Sequence, residues 1–271
     1  MSAISSTSDS SWLRAASSLE VDAPAAPLRP GSLLARGRFR VVRELGRGGM
    51  GVVYQAFDHA REQLVALKTL LRLGPRHLQH LKQEFRALSE LNHPNVVRLH
   101  GLHCDDGLWF ITMQLIDGTT LAARAFAPHE LRPLFAQIAR GMDALHSAGL
   151  IHRDLKPSNV MVGHAGEVVI VDFGLVSTLD ATPHSSRERF CGTPSYAAPE
   201  QKAGAVLQAP ADWYAFGVML RESWSRSVRS EAPSPPWSPE YEAELGKLCG
   251  MLLEEDPSMR AGAAEVLAAF D

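Results

Sequence analysis

The sequence predicts an α+β protein in two lobes, a sheet-rich N-terminal part and a helical C-terminal part, on three observations. Between Arg38 and Gln114 short β-branched and aromatic runs recur, with one helical stretch among them. After Gly118 the apolar residues adopt a helical period. No internal repeat is visible, so layered lobes rather than an array are expected.

Residues 1–36 contain nine Ser, seven Ala and three Pro without a sustained hydrophobic period. Such a segment buries too little to offset chain ordering, and a disordered tail is expected over residues 1–37. Strand-like runs then follow at Phe39–Val42, Val52–Phe57, Leu64–Leu70, Val96–Leu99 and Trp109–Gln114. Leu78, Leu81, Phe85 and Leu88 recur at helical spacing in a segment ended by Asn92-His93-Pro94. In the second part, Leu131, Leu134, Phe135, Ile138, Met142 and Leu145 form one stripe of a long helix. Short strands near Val160–Val162 and Val168–Val171 flank a turn, and Trp213–Trp224 and Glu240–Leu253 read as helices.

Composition narrows the class. With 45% hydrophobic residues the 271-residue chain is too apolar for general disorder and long enough for a substantial core. A net charge of −3 lacks the basic excess of a dedicated nucleic-acid binder. Cys104, Cys191 and Cys249 are widely spaced without a CxxC pair, so a reducing cytoplasm is expected. No apolar run reaches the roughly 18–20 residues of a membrane helix, and the N-terminus lacks a signal-peptide pattern.

Gly46-Arg47-Gly48-Gly49-Met50-Gly51 is a GxGxxG and by itself a weak signal. A dinucleotide-binding turn would open a helix, whereas here the glycines lie between two strand-like runs and favour a hairpin. Such glycines are either plain turn chemistry or a means of laying backbone N–H groups close over phosphates. Lys68 in Val65-Ala66-Leu67-Lys68, and Glu84 on the following helix, each read singly as surface charges. Then come His152-Arg153-Asp154-Leu155-Lys156-Pro157-Ser158-Asn159, Asp172-Phe173-Gly174 thirteen residues after Asn159, and Ala198-Pro199-Glu200.

In this order the motifs resemble the eukaryotic-type Ser/Thr protein kinase family, over about residues 38–270. The Gly-Gly-Met-Gly-Val-Val-Tyr wording is most similar to bacterial members. The resemblance implies an N-lobe over 38–113, a hinge over 114–118 and a C-lobe over 119–270. It implies ATP and Mg²⁺ as cofactors and proteins with Ser/Thr acceptors as partners, with neither nucleic acid nor membrane, and an oligomeric state left open. Gly46, Gly48 and Gly51 would lie over the phosphates, and Lys68 would pair with the α- and β-phosphates, oriented by Glu84. Asn159 and Asp172 would hold Mg²⁺, and Asp154 would take the acceptor's proton. Leu45, Val53, Ala66 and Met161 would sandwich the adenine, with Met113 as gatekeeper and the backbone of Gln114 and Ile116 on its edge. Lys156, with Thr193 contacting the catalytic loop, implies Ser/Thr rather than Tyr acceptors.

The same resemblance implies that Asp212 braces the catalytic loop and that Arg260 pairs with Glu200. Ser185 or Ser186 is the expected autophosphorylation site, and Ser223–Pro239 is expected to be a Pro-rich loop in place of a docking helix. Thr120 and Ser158 stand where basophilic relatives carry acidic residues, so an Arg-directed preference is not implied. Two alternatives stay open: a nucleotide-binding pseudokinase scaffold and a small-molecule phosphotransferase. The Asp-Leu-Lys-Pro and Gly-Thr-Pro wording argues against the latter.

Overall fold

The computed structural model describes residues 27–48, 51–70, 75–173, 193–228 and 239–270. The chain divides into two compact units. One takes the residues up to Phe85 together with Leu99–Leu115, the other Arg86–Arg98 and everything from Ile116 onward. One division thus falls after Leu115, and Arg86–Arg98 groups with the second unit.

The first unit is built on a six-stranded antiparallel sheet. Its strands are β1 (Leu33–Leu34), β2 (Phe39–Gly48), β3 (Gly51–Asp58), β4 (Gln63–Leu70), β5 (Leu99–Asp105) and β6 (Leu108–Gln114), in spatial order β1-β2-β3-β4-β6-β5. Alternation along β3 and β4 sends Tyr54, Ala56, Val65 and Leu67 to one face. There they join Phe39, Val41, Val52 and Phe110 in the core. The sheet curls on itself. Phe39 on β2 meets His103 on β5 edge-on at 4.9 Å and Phe110 on β6 at 5.7 Å, although these strands are far apart in the sheet order. The Ala35 N–H on the chain leaving β1 donates to Asp105 Oδ2 at the end of β5 at 2.7 Å.

Two expectations change in this unit. Of the tail expected over 1–37, residues 1–26 lie outside the described residues, while its last part is structured: Leu33–Leu34 pairs with Arg40–Phe39, and Leu28 packs on the core with its N–H donating to Tyr54 Oη at 3.1 Å. Buried Leu34, half-buried Leu28 and a few hydrogen bonds anchor this segment without any periodic signal. The strand expected at Val96–Leu99 instead runs Leu99–Asp105, while Val96 forms a parallel bridge with Ile170. Polar His100, His103 and Asp105 concealed this edge strand, whose residues are only partly buried.

Helix α1 (Pro75–Glu90) buries Leu78, Leu81 and Leu88, as the spacing predicts, with Phe85 half-buried beside them.

In the second unit, α2 (Pro128–Ser147) buries the whole predicted stripe from Leu131 to Leu145. It starts with Pro128 at its first turn and the Glu130 carboxylate accepting the Ala127 N–H at 2.6 Å. It stops at Gly149, whose φ of 72° lets the Leu150 N–H reach back to the Leu145 carbonyl at 3.0 Å. A three-stranded sheet, β7 (Gly118–Thr120), β8 (Val160–Gly163) and β9 (Val168–Ile170), flanks a short 3₁₀ turn at Pro157–Asn159. Helices α3 (Pro199–Lys202), α4 (Ala209–Val228), α5 (Pro239–Leu252) and α6 (Ala263–Phe270) complete it. Phe216 of α4 is the aromatic hub, edge-on to Phe135, Trp213 and Phe270 at 5.4, 5.6 and 6.1 Å. Because α4 continues to Val228, the first six residues of the expected Ser223–Pro239 loop are helical; residues 229–238 lie outside those described.

Candidate active site

The GxGxxG is a β-hairpin, with Gly48 opposite Gly51 in the β2–β3 ladder. The glycines differ in what demands them. A Cβ on Gly51, at φ 144°, would collide with the Thr69 carbonyl on β4, so this glycine serves strand packing. Among the described residues a Cβ on Gly46 or Gly48 would meet nothing within 4 Å, so none of them requires glycine there. Leu45 is the extra residue of a bulge between Glu44 and Gly46 and is 38% exposed.

Cross-strand register puts Val53, Lys68 and Ile111 in one row and Gln55, Ala66 and Met113 in the next. Both rows lie on the sheet face opposite Tyr54 and Leu67. Lys68 is only 7% exposed on a strand with neighbours on both sides, not the solvated edge charge a single lysine suggests. Glu84 is half-buried on α1 in the same unit, Gln114 is exposed at the end of β6, and Ile116 and half-buried Met161 belong to the second unit.

The second unit gathers Lys156, Asn159 and Thr193 around Asp154, which is 6% exposed. Its Oδ1 accepts from the Thr193 N–H and hydroxyl, both at 3.0 Å. Its Oδ2 accepts from Lys156 Nζ at 2.6 Å and Asn159 Nδ2 at 3.4 Å. Lys156 Nζ also donates to Thr193 Oγ1 at 2.8 Å, closing a triangle of ammonium, hydroxyl and carboxylate. Asn159 Nδ2 donates to the Asp154 carbonyl at 2.8 Å, which fixes the amide so that Oδ1 remains an acceptor.

Underneath, Asp212 of α4 accepts the N–H of His152 on Oδ2 and of Arg153 on Oδ1, both at 2.8 Å. His146 Nε2 lies 2.9 Å from Asp212 Oδ2; a carboxylate only accepts, so the ring donates. His152 is fully buried, with Nε2 3.1 Å from the Val171 carbonyl and its ring 5.2 Å from Phe173. Burial holds its imidazole below the ordinary histidine range, against the opposing pull of Asp212, Asp154 and Asp172. Arg153 and Asp172 both hold positive φ, 68° and 59°, a conformation uncommon outside glycine.

Arg260 closes the lower end. Its fully buried guanidinium makes a fork with Glu200, Nη1 to Oε1 at 2.7 Å and Nη2 to Oε2 at 3.1 Å. It also donates to the carbonyls of Pro210 and Glu254. The motif reading quoted His152 without giving it a role and did not single out His146 or Gln201, whose Nε2 donates to the Arg153 carbonyl at 2.8 Å. Their partners are 19, 66 and 48 positions away, and no local signal marks such pairs. The expected phosphorylation sites Ser185 and Ser186 lie outside the described residues.

The hairpin glycines and the strand lysine lie in the first unit and the Asp-Lys-Asn loop in the second, and comparison with known proteins supplies the family. The protein kinase domain profile matches residues 39–269, and the chain belongs to the protein kinase domain family. It is 34% identical over 221 residues to the serine/threonine-protein kinase pkn2 of Myxococcus xanthus, covering 77% of this chain and 27% of that protein. To PknA of Mycobacterium tuberculosis it is 30% identical over 251 residues, 83% of this chain and 58% of that one. To PrkC of Bacillus subtilis it is 28% identical over 254 residues, 84% and 39%. The chain thus spans between about a quarter and three-fifths of the length of these curated relatives. Among solved structures it is similar to the kinase domain of Mycobacterium tuberculosis PknI, with a TM-score of 0.70 and 26% identity over 90% of this chain and 98% of that one.

Proposed function

We propose that this chain transfers the γ-phosphoryl group of Mg·ATP to serine or threonine hydroxyls of protein substrates. The observation that carries the reading is the buried Asp154 carboxylate, held by Lys156 and already accepting one hydroxyl, that of Thr193. An acceptor hydroxyl donating to Asp154 gives up its proton there as its oxygen bonds to the γ-phosphorus. The bond from that phosphorus to the β–γ bridging oxygen breaks, and ADP leaves with the electron pair. Lys156 balances charge beside the carboxylate during this step.

Lys68 binds the α- and β-phosphates and Glu84 orients it, while Gly46 and Gly48 leave room for phosphates beneath the hairpin backbone. Leu45, Val53, Ala66 and Met161 bracket the adenine, with Met113 behind it and the Gln114–Ile116 backbone on its edge. The hard oxygens of Asn159 Oδ1 and the Asp172 carboxylate suit Mg²⁺, which when bound neutralises phosphate charge. The cytoplasm, with its ATP and reducing poise, suits the free thiols of Cys104 and Cys249. Among the described residues no helix is long and apolar enough to cross a membrane.

The test is incubation with Mg·ATP and an acceptor protein, followed by phosphosite mapping. The wild-type chain labels Ser and Thr, and Asp154→Asn and Lys68→Met each lower the rate at least about a hundredfold. Equal labelling by wild type and Asp154→Asn would sink the reading, and nucleotide binding without labelling would favour the scaffold alternative.

A further inference from the structure

The catalytic loop holds its reactive carboxylate behind a residue in an unfavourable conformation. Arg153 directly precedes Asp154 and sits at φ 68°, a left-handed conformation that L side chains disfavour. Two side chains grip its backbone from opposite ends. Asp212 Oδ1 accepts its N–H at 2.8 Å, and Gln201 Nε2 donates to its carbonyl at 2.8 Å. The Arg153 carbonyl and the Asp154 N–H belong to one planar peptide unit, so fixing that oxygen fixes where the Asp154 Cα and carboxylate begin.

Gln201 is itself anchored. It lies in the single turn of α3 beside Glu200, whose carboxylate is forked onto buried Arg260. Successive helical residues point about 100° apart, so Glu200 reaches toward Arg260 while Gln201 reaches toward the loop. The hydrogen bonds therefore run from Arg260 through Glu200 and α3 to Gln201, the Arg153 carbonyl and Asp154. Thr193, six residues before Pro199 of α3, meets the same carboxylate from its other side.

We infer that Gln201 is a positioning residue for phosphoryl transfer, whose amide N–H locks the Arg153–Asp154 peptide and so aims the Asp154 carboxylate. The inference deepens the kinase reading and rests on it. Misplacement of a reacting group by about 1 Å costs up to about a hundredfold, whereas nucleotide binding does not depend on this peptide.

The experiment compares Gln201→Met and Gln201→Glu, which remove the donor at similar length, with Gln201→His, whose Nε2–H donates at nearly the same reach. The expected result is a kcat per nucleotide-binding site lowered about tenfold or more in the Met and Glu variants, with nucleotide Kd unchanged and Gln201→His within about threefold of wild type. Counting sites by nucleotide titration removes any unfolded fraction. Amide hydrogen exchange of the peptide spanning residues 150–156 is read in parallel and needs no activity. It speeds up in the Met and Glu variants and not in the His variant. Activity and exchange of Gln201→Met equal to wild type, or a His variant as impaired as the other two, would overturn the inference. A wild-type chain that transfers no phosphate would overturn the kinase reading instead, and hydrogen exchange alone would then decide whether Gln201 locks the peptide.

Discussion

Gly51 and Gly48 stand three positions apart in one hairpin and answer to different demands. Any side chain at Gly51 meets the Thr69 carbonyl and a φ of 144°, so Gly51→Ala is expected to cost about 2 kcal/mol or more of stability, seen as a lower thermal midpoint. Gly48→Ala meets no neighbour within 4 Å among the described residues and is expected to leave that midpoint unchanged while weakening nucleotide binding measured by fluorescence titration. A destabilised Gly48→Ala would mean that the hairpin itself, rather than its ligand, requires the glycine. The motif alone treats all three glycines alike. Lys68 shows the same limit, since its burial follows from β4 lying between β3 and β6, which no single strand reveals.

Helix α3 is four residues long, too short to persist without tertiary support. Its support is Arg260, whose buried side chain pairs with Glu200, donates to the carbonyls of Pro210 and Glu254 and lies 5.1 Å from the Tyr214 ring centroid. Arg260→Met leaves the Glu200 carboxylate without its partner, and the expected loss is about 3–5 kcal/mol in urea unfolding. A loss below about 1 kcal/mol would show that solvent reaches Glu200 and that α3 is held by other contacts. The long helices needed no such help to be legible. The α2 stripe from Leu131 to Leu145 was written in a 3.6-residue period. The start of α4 at Ala209 and its end at Val228 were not, because its mixed polar and apolar faces pack on several neighbours at once.

Both units carry a histidine that burial holds below the ordinary range. His103 lies between Phe39 and Phe110 in the first, further depressed by Arg38 and Arg61, and His93 lies in the second. A depressed folded value means the unfolded chain binds protons first as pH falls, near 6.5. The stability these groups contribute is therefore present above about pH 6.5 and lost as pH drops through their lower folded values. The urea midpoint is expected to decline between about pH 7 and about pH 5, and less so in His103→Gln, which keeps a polar contact toward Thr112 without titrating. An equal decline in wild type and variant would assign the acid sensitivity elsewhere.

The class of fold, the long helices, the hairpin and the family were all legible in order and spacing, because period, turn chemistry and motif are local properties of a chain. The same linear order named Asp154, Lys156, Asn159 and Asp172 as candidates. It was silent on the strand at Leu33–Leu34, on His146 beneath the loop, on the buried contacts of His152, and on Gln201 gripping the Arg153 peptide. Those features exist only as contacts between residues far apart in sequence, whose partners are chosen when the elements pack and which leave no pattern in the segments that make them.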